Sequence, residues 1–164
     1  DMIVKDFPIK CTSYTPCFRR EAGSYGKDVR GLNRLHQFDK VEIVQIQHPK
    51  NSYDTLNDMV GHVSSILDEL GLPYRILKLC GGDLSFTSAL TFDFEVYSAG
   101  QKKWLEVSSV SNFEDYQANR LRLRYKDIDG WNKNFLHKAL DKIISTLHFF
   151  KSYVSITYSL FNFT

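Results

Sequence analysis

No uninterrupted apolar run in this chain reaches the roughly 18 residues that a membrane-crossing helix needs, so nothing in it reads as a membrane span. Cysteine is scarce: Cys11, Cys17 and Cys80 form no CxxC pair and leave an odd count. That usage reads as reduced thiols in a cytosolic protein, not as a disulfide set or a zinc site. An excess of one charge is missing too. With 21 Lys and Arg against 19 Asp and Glu, the formal net charge of +2 makes a field too weak to announce nucleic-acid binding by itself. The opening DMIVKDFPIK has neither a signal-peptide nor a transit-peptide pattern, and the expectation is a soluble cytoplasmic protein. The first residue is Asp and not Met, which fits an excerpt of something longer.

What is present suits one domain: 164 residues can bury a real core. Residues 17–45, CFRREAGSYGKDVRGLNRLHQFDKVEIVQ, read as two extended segments joined by a loop rich in Gly and cations. Side chains alternate faces along a strand, so Arg19 and Glu21 share one face and Phe18 and Arg20 the other. On the return, Phe38, Lys40 and Glu42 share a face, opposite Val41 and Ile43. Antiparallel pairing would project Arg19, Glu21, Phe38 and Glu42 from one surface. The loop, 22–35, carries Lys27, Arg30 and Arg34 over it, and Gly23, Gly26 and Gly31 let it bend. A charged hairpin of this kind is either a solvated sheet face or a binding surface for a nucleoside triphosphate and an amino acid.

Further along, Pro16 stands just ahead of the first hairpin strand and His48-Pro49 ends the second. Asn51 or Ser52 caps a predicted helix running to about Leu70, with Leu56, Met59, Val60, Val63, Ile66, Leu67 and Leu70 on one apolar face. Gly71 and Pro73 stop it. His62 on this helix reads as a surface side chain. Strands are expected over 74–80, 91–97 and 103–110, the last two around the Ser98-Ala99-Gly100 turn. Phe92, Phe94 and Val96 would then oppose Asp93 and Glu95, while Trp104, Glu106 and Ser108 oppose Leu105, Val107 and Ser109. Asp93, Glu95 and Glu106 together would repel unless a cation or an Arg lies between them; solvent exposure on an outer face is the other reading. Near the end, Leu136, Ala139, Leu140, Ile143, Ile144 and Leu147 form a helical stripe, and Val154, Ile156, Tyr158 and Leu160 alternate as in a strand.

Three groups of residues carry a family resemblance: FRRE at 18–21, the AGSYGKDVRG loop and the HQFDKVE return at 36–42. Together they resemble motif 2 of the class II aminoacyl-tRNA synthetases, and within that class the seryl-tRNA synthetases. TFDFEVYSAGQKKWLEVSSVSN, from Thr91, is similar to that family's ATP and Mg²⁺ segment. The resemblance runs from about Phe7 to His137. It implies an α+β fold, a class II synthetase-type antiparallel β-sheet flanked by helices, incomplete here. The implied division is a partial catalytic core over 1–137 and a divergent tail over 138–164 in place of motif 3.

By resemblance, the activity is ATP-dependent activation of serine to seryl-adenylate and transfer to tRNA(Ser), with ATP and Mg²⁺ as cofactors. Arg19 would bind the α-phosphate as the catalytic residue, Glu21 the adenine amino group and Arg30 the outer phosphates. Phe38 would stack on adenine, Glu42 would engage the serine substrate, and Glu106 would hold the metal. ATP contacts would also come from Glu106, Val107, Ser108 and Ser109. Asn112 and Arg120 match the family pattern without an assigned role. In the family His137 would open motif 3, but Lys142 stands where a substrate-contacting serine is expected, so that role does not carry over. The long helical arm that grips tRNA, the motif 1 segment of the family's homodimer interface, and the T-x-E segment of the serine pocket have no counterpart among these residues. The chain is then an excerpt of a synthetase or a catalytically silent fragment that keeps only a nucleotide-binding scaffold. A ligase that loads amino acids onto a carrier protein is a further reading, disfavoured because no metal-bound pocket with a Cys is visible.

Overall fold

Long stretches of alternating side chains favour strands wherever one face can be covered, and most of this chain follows that pattern. The computed structural model describes residues 2–4, 6–20, 35–126, 137–139 and 141–149, with side chains over 6–20 and 35–123. Its strands are β1 (Met2–Val4), β2 (Ile9–Phe18), β3 (Gln37–Gln47), β4 (Tyr74–Lys78), β5 (Leu90–Ser98), β6 (Lys103–Asn112), β7 (Leu123–Lys126), β8 (His137–Ala139) and β9 (Asp141–Phe149). Two helices join them, α1 (Ser52–Glu69) and α2 (Tyr116–Arg120). Six strands form an antiparallel sheet in the order β2-β3-β9-β6-β5-β4, and β1, β7 and β8 form a small second sheet. The α+β expectation therefore holds. Among the described residues no helix is long and apolar enough to cross a membrane.

Helix α1 covers one face of the large sheet. Its Leu56, Met59, Val63 and Leu67 are buried against Phe94, Val96 and Val110, with Val60, Ile66 and Leu72 packed around them. The expected stripe is thus the observed one, except that Leu70 is 41% exposed at the helix end. The helix stops as Gly71 and Pro73 imply. Gly71 sits at φ +63°, its N–H donates to the Asp68 carbonyl at 3.0 Å, and the Leu72 N–H reaches the Leu67 carbonyl at 3.2 Å. That pair of bonds satisfies the last carbonyls and requires a left-handed residue. At the other end, fully buried Asn112 of β6 donates through Nδ2 to Ser52 Oγ at 3.3 Å and accepts the Glu114 N–H at 2.9 Å. A satisfied polar clamp therefore ties the helix start to the end of β6.

Two expectations are corrected. The first hairpin strand does not begin at Cys17 but at Ile9, and it takes in Pro16. Strand β2 is at the sheet edge, where a residue without an N–H costs no ladder bond on the open side. The stripe over 136–147 is not a helix: His137–Ala139 and Asp141–Phe149 are strands. Apolar residues at 143, 144 and 147 satisfy a helical period, but Ile143, Ile144 and Thr146 are β-branched, and a slot between β3 and β6 accepts a strand there. The alternating segment beyond Ser152 lies outside the described residues.

The core's dependence on α1 has a direct test. Leu56→Ala should destabilise the chain by about 2–5 kcal/mol, the usual cost of a cavity at a fully buried leucine, while Leu70→Ala should change stability far less. Urea midpoints of the two variants check this, and equal shifts would refute the packing account.

Candidate functional site

Cross-strand partners share a face, so the register defines which side chains look out from the sheet surface opposite α1. One row places Ser13, Glu42, Ser109, Asp93 and Leu77 at paired positions on β2, β3, β6, β5 and β4, with the β9 backbone between β3 and β6. In the next row, Glu106, Glu95 and Arg75 stand level on β6, β5 and β4, while Lys40 is two residues along β3 from Glu42. Beyond that come Phe38 on one side and Trp104 paired with Tyr97 on the other. At the opposite end, Ala118 of α2 and Leu123 pack with Phe7, Ile9 and Ile46, closing the surface with a small apolar wall.

A break in the β5–β6 register determines which β6 side chains join this face. Asp93 pairs with Ser109 and Phe94 with Ser108, but Glu95 pairs with Glu106. Val107 is the extra residue. Without it, Glu106 and Ser109 would alternate to opposite faces, as simple parity predicts; with it, they face the same way. Ser108 is fully buried beside Phe94, and Val107 packs against the core, so their side chains point away from the surface that carries Glu106 and Ser109.

On the β3 side, the Arg19 N–H donates to the His36 carbonyl at 2.7 Å, and His36 Nδ1 donates to the Arg19 carbonyl at 3.0 Å. The ladder thereby continues one residue past β2 and holds Arg19 beside Phe38. The Arg19 guanidinium lies 4.8 Å from the Phe38 ring centroid, within cation–π range, and Phe38 is only 7% exposed. Lys40 Nζ meets Glu42 Oε1 at 3.1 Å. On the far side, Arg75 Nε donates to Glu95 Oε2 at 2.6 Å while its guanidinium covers Trp104 at 4.8 Å.

The carboxylates between these cations are electrostatically uneasy. Burial against the sheet raises the Glu106 carboxyl above its usual range, the charges of Asp93 and Glu95 push it further, and Arg19 partly opposes them. Burial likewise raises Asp93, a hydrogen bond from Ser109 lowers it, and Glu95 and Asp83 add repulsion. Among the described residues no set of three His, Cys, Asp or Glu is arranged to hold a metal alone.

Of the site residues expected from sequence, Arg19, Phe38, Glu42, Glu106 and Ser109 come to this one face. Glu21 and Arg30 lie outside the described residues. Asn112 is structural in its contacts, and Arg120 stacks on Tyr116 with its Cζ 3.5 Å from the ring centroid. Sequence reading missed Arg75 and the Lys40–Glu42 pair. Pairing 74–80 with 91–97 would have set Arg75 against Glu95 as opposite charges; nothing in the sequence marks the extra residue at Val107.

Comparison with known proteins supplies a family. A family model described as the tRNA synthetase class II core domain (G, H, P, S and T) matches residues 3–144. A serine–tRNA ligase of Neisseria meningitidis is 57% identical over 129 residues, covering 79% of this chain and 30% of the relative. A seryl-tRNA synthetase from Pyrococcus horikoshii, solved with ATP, superposes with a TM-score of 0.84 at 34% identity over 94% of this chain and 34% of its own. A cytoplasmic serine–tRNA ligase from Naegleria fowleri, solved with AMP, gives 0.81 at 31% identity over 93% of this chain and 36% of its own. The chain therefore spans about a third of the length of the relatives it matches, and its sheet is that of a class II synthetase core, incomplete.

The raised carboxyls predict a pH signature. A carboxyl whose folded-state pKa is raised contributes stability that is present at low pH and lost as pH rises through that pKa. Glu106→Gln removes the penalty, so it should raise the melting temperature at pH 7.5, and the gain should shrink as pH falls toward 4. Thermal scans across that window check it; a variant less stable at pH 7.5 would contradict the assignment.

Proposed function

The chain belongs to the class II tRNA synthetase core family, and from that premise we propose that it carries the ATP-gripping part of a serine–tRNA ligase active site. The observation that carries this reading is the single sheet face on which Phe38, under the Arg19 guanidinium, and Glu42 stand two strands away from Glu106 and Ser109. Such a face offers an aromatic plate, a guanidinium, and two separate acidic positions, which suit adenine, a phosphate, a substrate ammonium and a cation.

In the proposed reaction a serine carboxylate oxygen attacks the α-phosphorus of ATP in line. The new P–O bond forms as the bond to pyrophosphate breaks, and pyrophosphate leaves with the electron pair, giving seryl-adenylate. A tRNA(Ser) 3′-terminal hydroxyl then attacks the seryl carbonyl, AMP departs, and the hydroxyl proton is released. Catalysis of this kind rests on positioning and charge stabilisation. The Arg19 guanidinium, planar and able to hold two oxygens, takes the α-phosphate. Adenine takes a place over Phe38 now shared with Arg19, which releases the guanidinium toward the phosphate. Glu21 would accept from the adenine amino group, and Arg30 would reach the outer phosphates. Glu42 accepts the serine ammonium as a second cation beside Lys40. Glu106 and Ser109 would meet the nucleotide, with Val107 and Ser108 contributing backbone only.

The donor set fits Mg²⁺ in one form. Glu106 supplies a hard carboxylate oxygen beside Asp93 and Glu95, whose charges outweigh the opposing one of Arg19, while the described residues make no cage of their own. Mg²⁺ is commonly bound through one or two carboxylates plus phosphate oxygens and water, and Glu106 with Ser109 would hold it so. When bound, the ion would neutralise phosphate charge. The reading also places the chain in the cytoplasm, with serine and tRNA(Ser) as substrates and a homodimer as the full-length assembly. The second reading, a silent fragment with a nucleotide scaffold, is favoured by Lys142 standing where the family has a substrate-contacting serine.

Two measurements test this reading. Serine-dependent exchange of pyrophosphate into ATP should occur if the core is intact. A null result rescued by restoring the upstream and motif 3 regions would mark an excerpt, whereas a full-length parent that also fails would end the enzyme reading. Separately, Phe38→Ala should weaken ATP binding by roughly fivefold or more, since base–aromatic stacking contributes about 1 kcal/mol or more. Unchanged affinity in calorimetry would reject the stacking role.

A further inference from the structure

Arg19 stands one residue beyond the last paired rung of β2, Phe18↔Gln37. Two bonds to His36 set its place. The Arg19 N–H donates to the His36 carbonyl at 2.7 Å, and the Arg19 carbonyl accepts from His36 Nδ1 at 3.0 Å. In a regular antiparallel rung the return bond comes from the partner's backbone N–H; here an imidazole supplies it. A carbonyl has no proton to give, so Nδ1 carries one, as it can in both the neutral and the charged ring. This rung therefore depends on the identity of one side chain. Next to it, the Arg19 guanidinium lies 4.8 Å from the centroid of the Phe38 ring. Anchoring the root of a long, flexible side chain limits what its head can sample, and a phosphate contact that works by positioning requires that limit.

We propose that His36 is a positioning residue for the nucleotide: by anchoring the Arg19 backbone it directs the guanidinium to the α-phosphate while adenine lies over Phe38. This rests on the reading of Arg19 and Phe38 above and assigns His36, which that reading leaves without a role. The step is a hydrogen bond only; no covalent bond changes. By alternation His36 falls on the same face of β3 as Phe38, Lys40 and Glu42. The rival account is thus a direct contact between the ring and the ligand, and the two accounts part when the Arg19 guanidinium is removed.

The probes are AMP and adenosine, with affinities measured by calorimetry on the 164-residue chain. They share adenine and differ by the α-phosphate, so their affinity ratio reads the Arg19 contact apart from stacking. His36→Ala should lower AMP affinity about fivefold, within the range of one net hydrogen bond, and leave adenosine affinity unchanged. His36→Asn should restore most of the loss, because its amide N–H stands where the ring Nδ1–H stood. His36→Gln, whose amide reaches the place of the other ring nitrogen, replaces the alanine variant if that one does not fold, with the same loss expected. In an Arg19→Met background, removing His36 should cost nothing more. A parallel loss of AMP and adenosine affinity would make His36 merely structural, and an asparagine variant as weak as the alanine one would deny the Nδ1 bond a role. A loss that persists without the Arg19 guanidinium would make the ring a direct ligand contact. Each of these overturns the proposal, as does unchanged AMP affinity in His36→Ala. Equal wild-type affinity for AMP and adenosine would end it together with the α-phosphate reading of Arg19, and a wild-type chain that binds neither would end it together with the nucleotide reading.

Discussion

The constraint on which this molecule turns is one surplus residue in one strand. Val107 breaks the β5–β6 register, and the break lets a strand with ordinary alternation serve two masters. Ser108, Val110 and Asn112 meet the core and helix α1, while Glu106 and Ser109 look the other way. An unbroken ladder would send either Glu106 or Ser109 into the apolar layer among Phe94 and Val96. Burying a carboxylate there without a partner costs several kcal/mol or shifts its pKa until it is neutral. Bulges beside functional surfaces commonly re-aim a side chain in this way.

The same face accepts a standing electrostatic cost. Its cations are committed sideways: Lys40 to Glu42, Arg75 to Glu95 and Trp104, and Arg19 to the ring of Phe38. Asp93 is left to raise the proton affinity of Glu106. A surface optimised for stability alone would place a Lys among these groups. Clustered titratable groups held away from their ordinary pKa values are expected where a ligand is to supply the missing charge, and the lost stability is the usual exchange for a prepared site.

Much of this was legible in the sequence, and the gaps have physical causes. Helix α1 could be read nearly to the residue because its signals are local: a cap region, a 3.6-residue stripe, and Gly71 at the left-handed position. The faces of β3 and β5 followed from alternation, since each strand packs one side on the core. The bulge was not legible, because a register shift is a property of two strands together and leaves no mark in either. The same holds for β9. Ile143, Ile144 and Leu147 satisfy a helix and a strand equally well, and only the open slot between β3 and β6 decides. Ion pairs such as Arg75–Glu95 need a pairing register before opposite charges can be matched.

Strand β9 also sets how far apart the two sides of the face stand. Phe38 and Glu42 on β3 do not adjoin Glu106 and Ser109 on β6; β9 lies between them and sets their separation at two strand spacings, about 9.5 Å. That spacing depends on backbone ladders, from Gln47↔Asp141 to Asp39↔Phe149 on one side and Ser108↔Leu147 to Asn112↔Ile143 on the other. Any sequence that favours a strand can provide it, and KIISTLHF does so with three β-branched residues. Site chemistry is less forgiving, because it depends on which side chain stands at each rung. Lys142 can therefore occupy a rung opposite Ile46 without disturbing the sheet, although a lysine offers an ammonium there and no hydroxyl. The two walls keep their distance whether or not the strand between them still contributes chemistry.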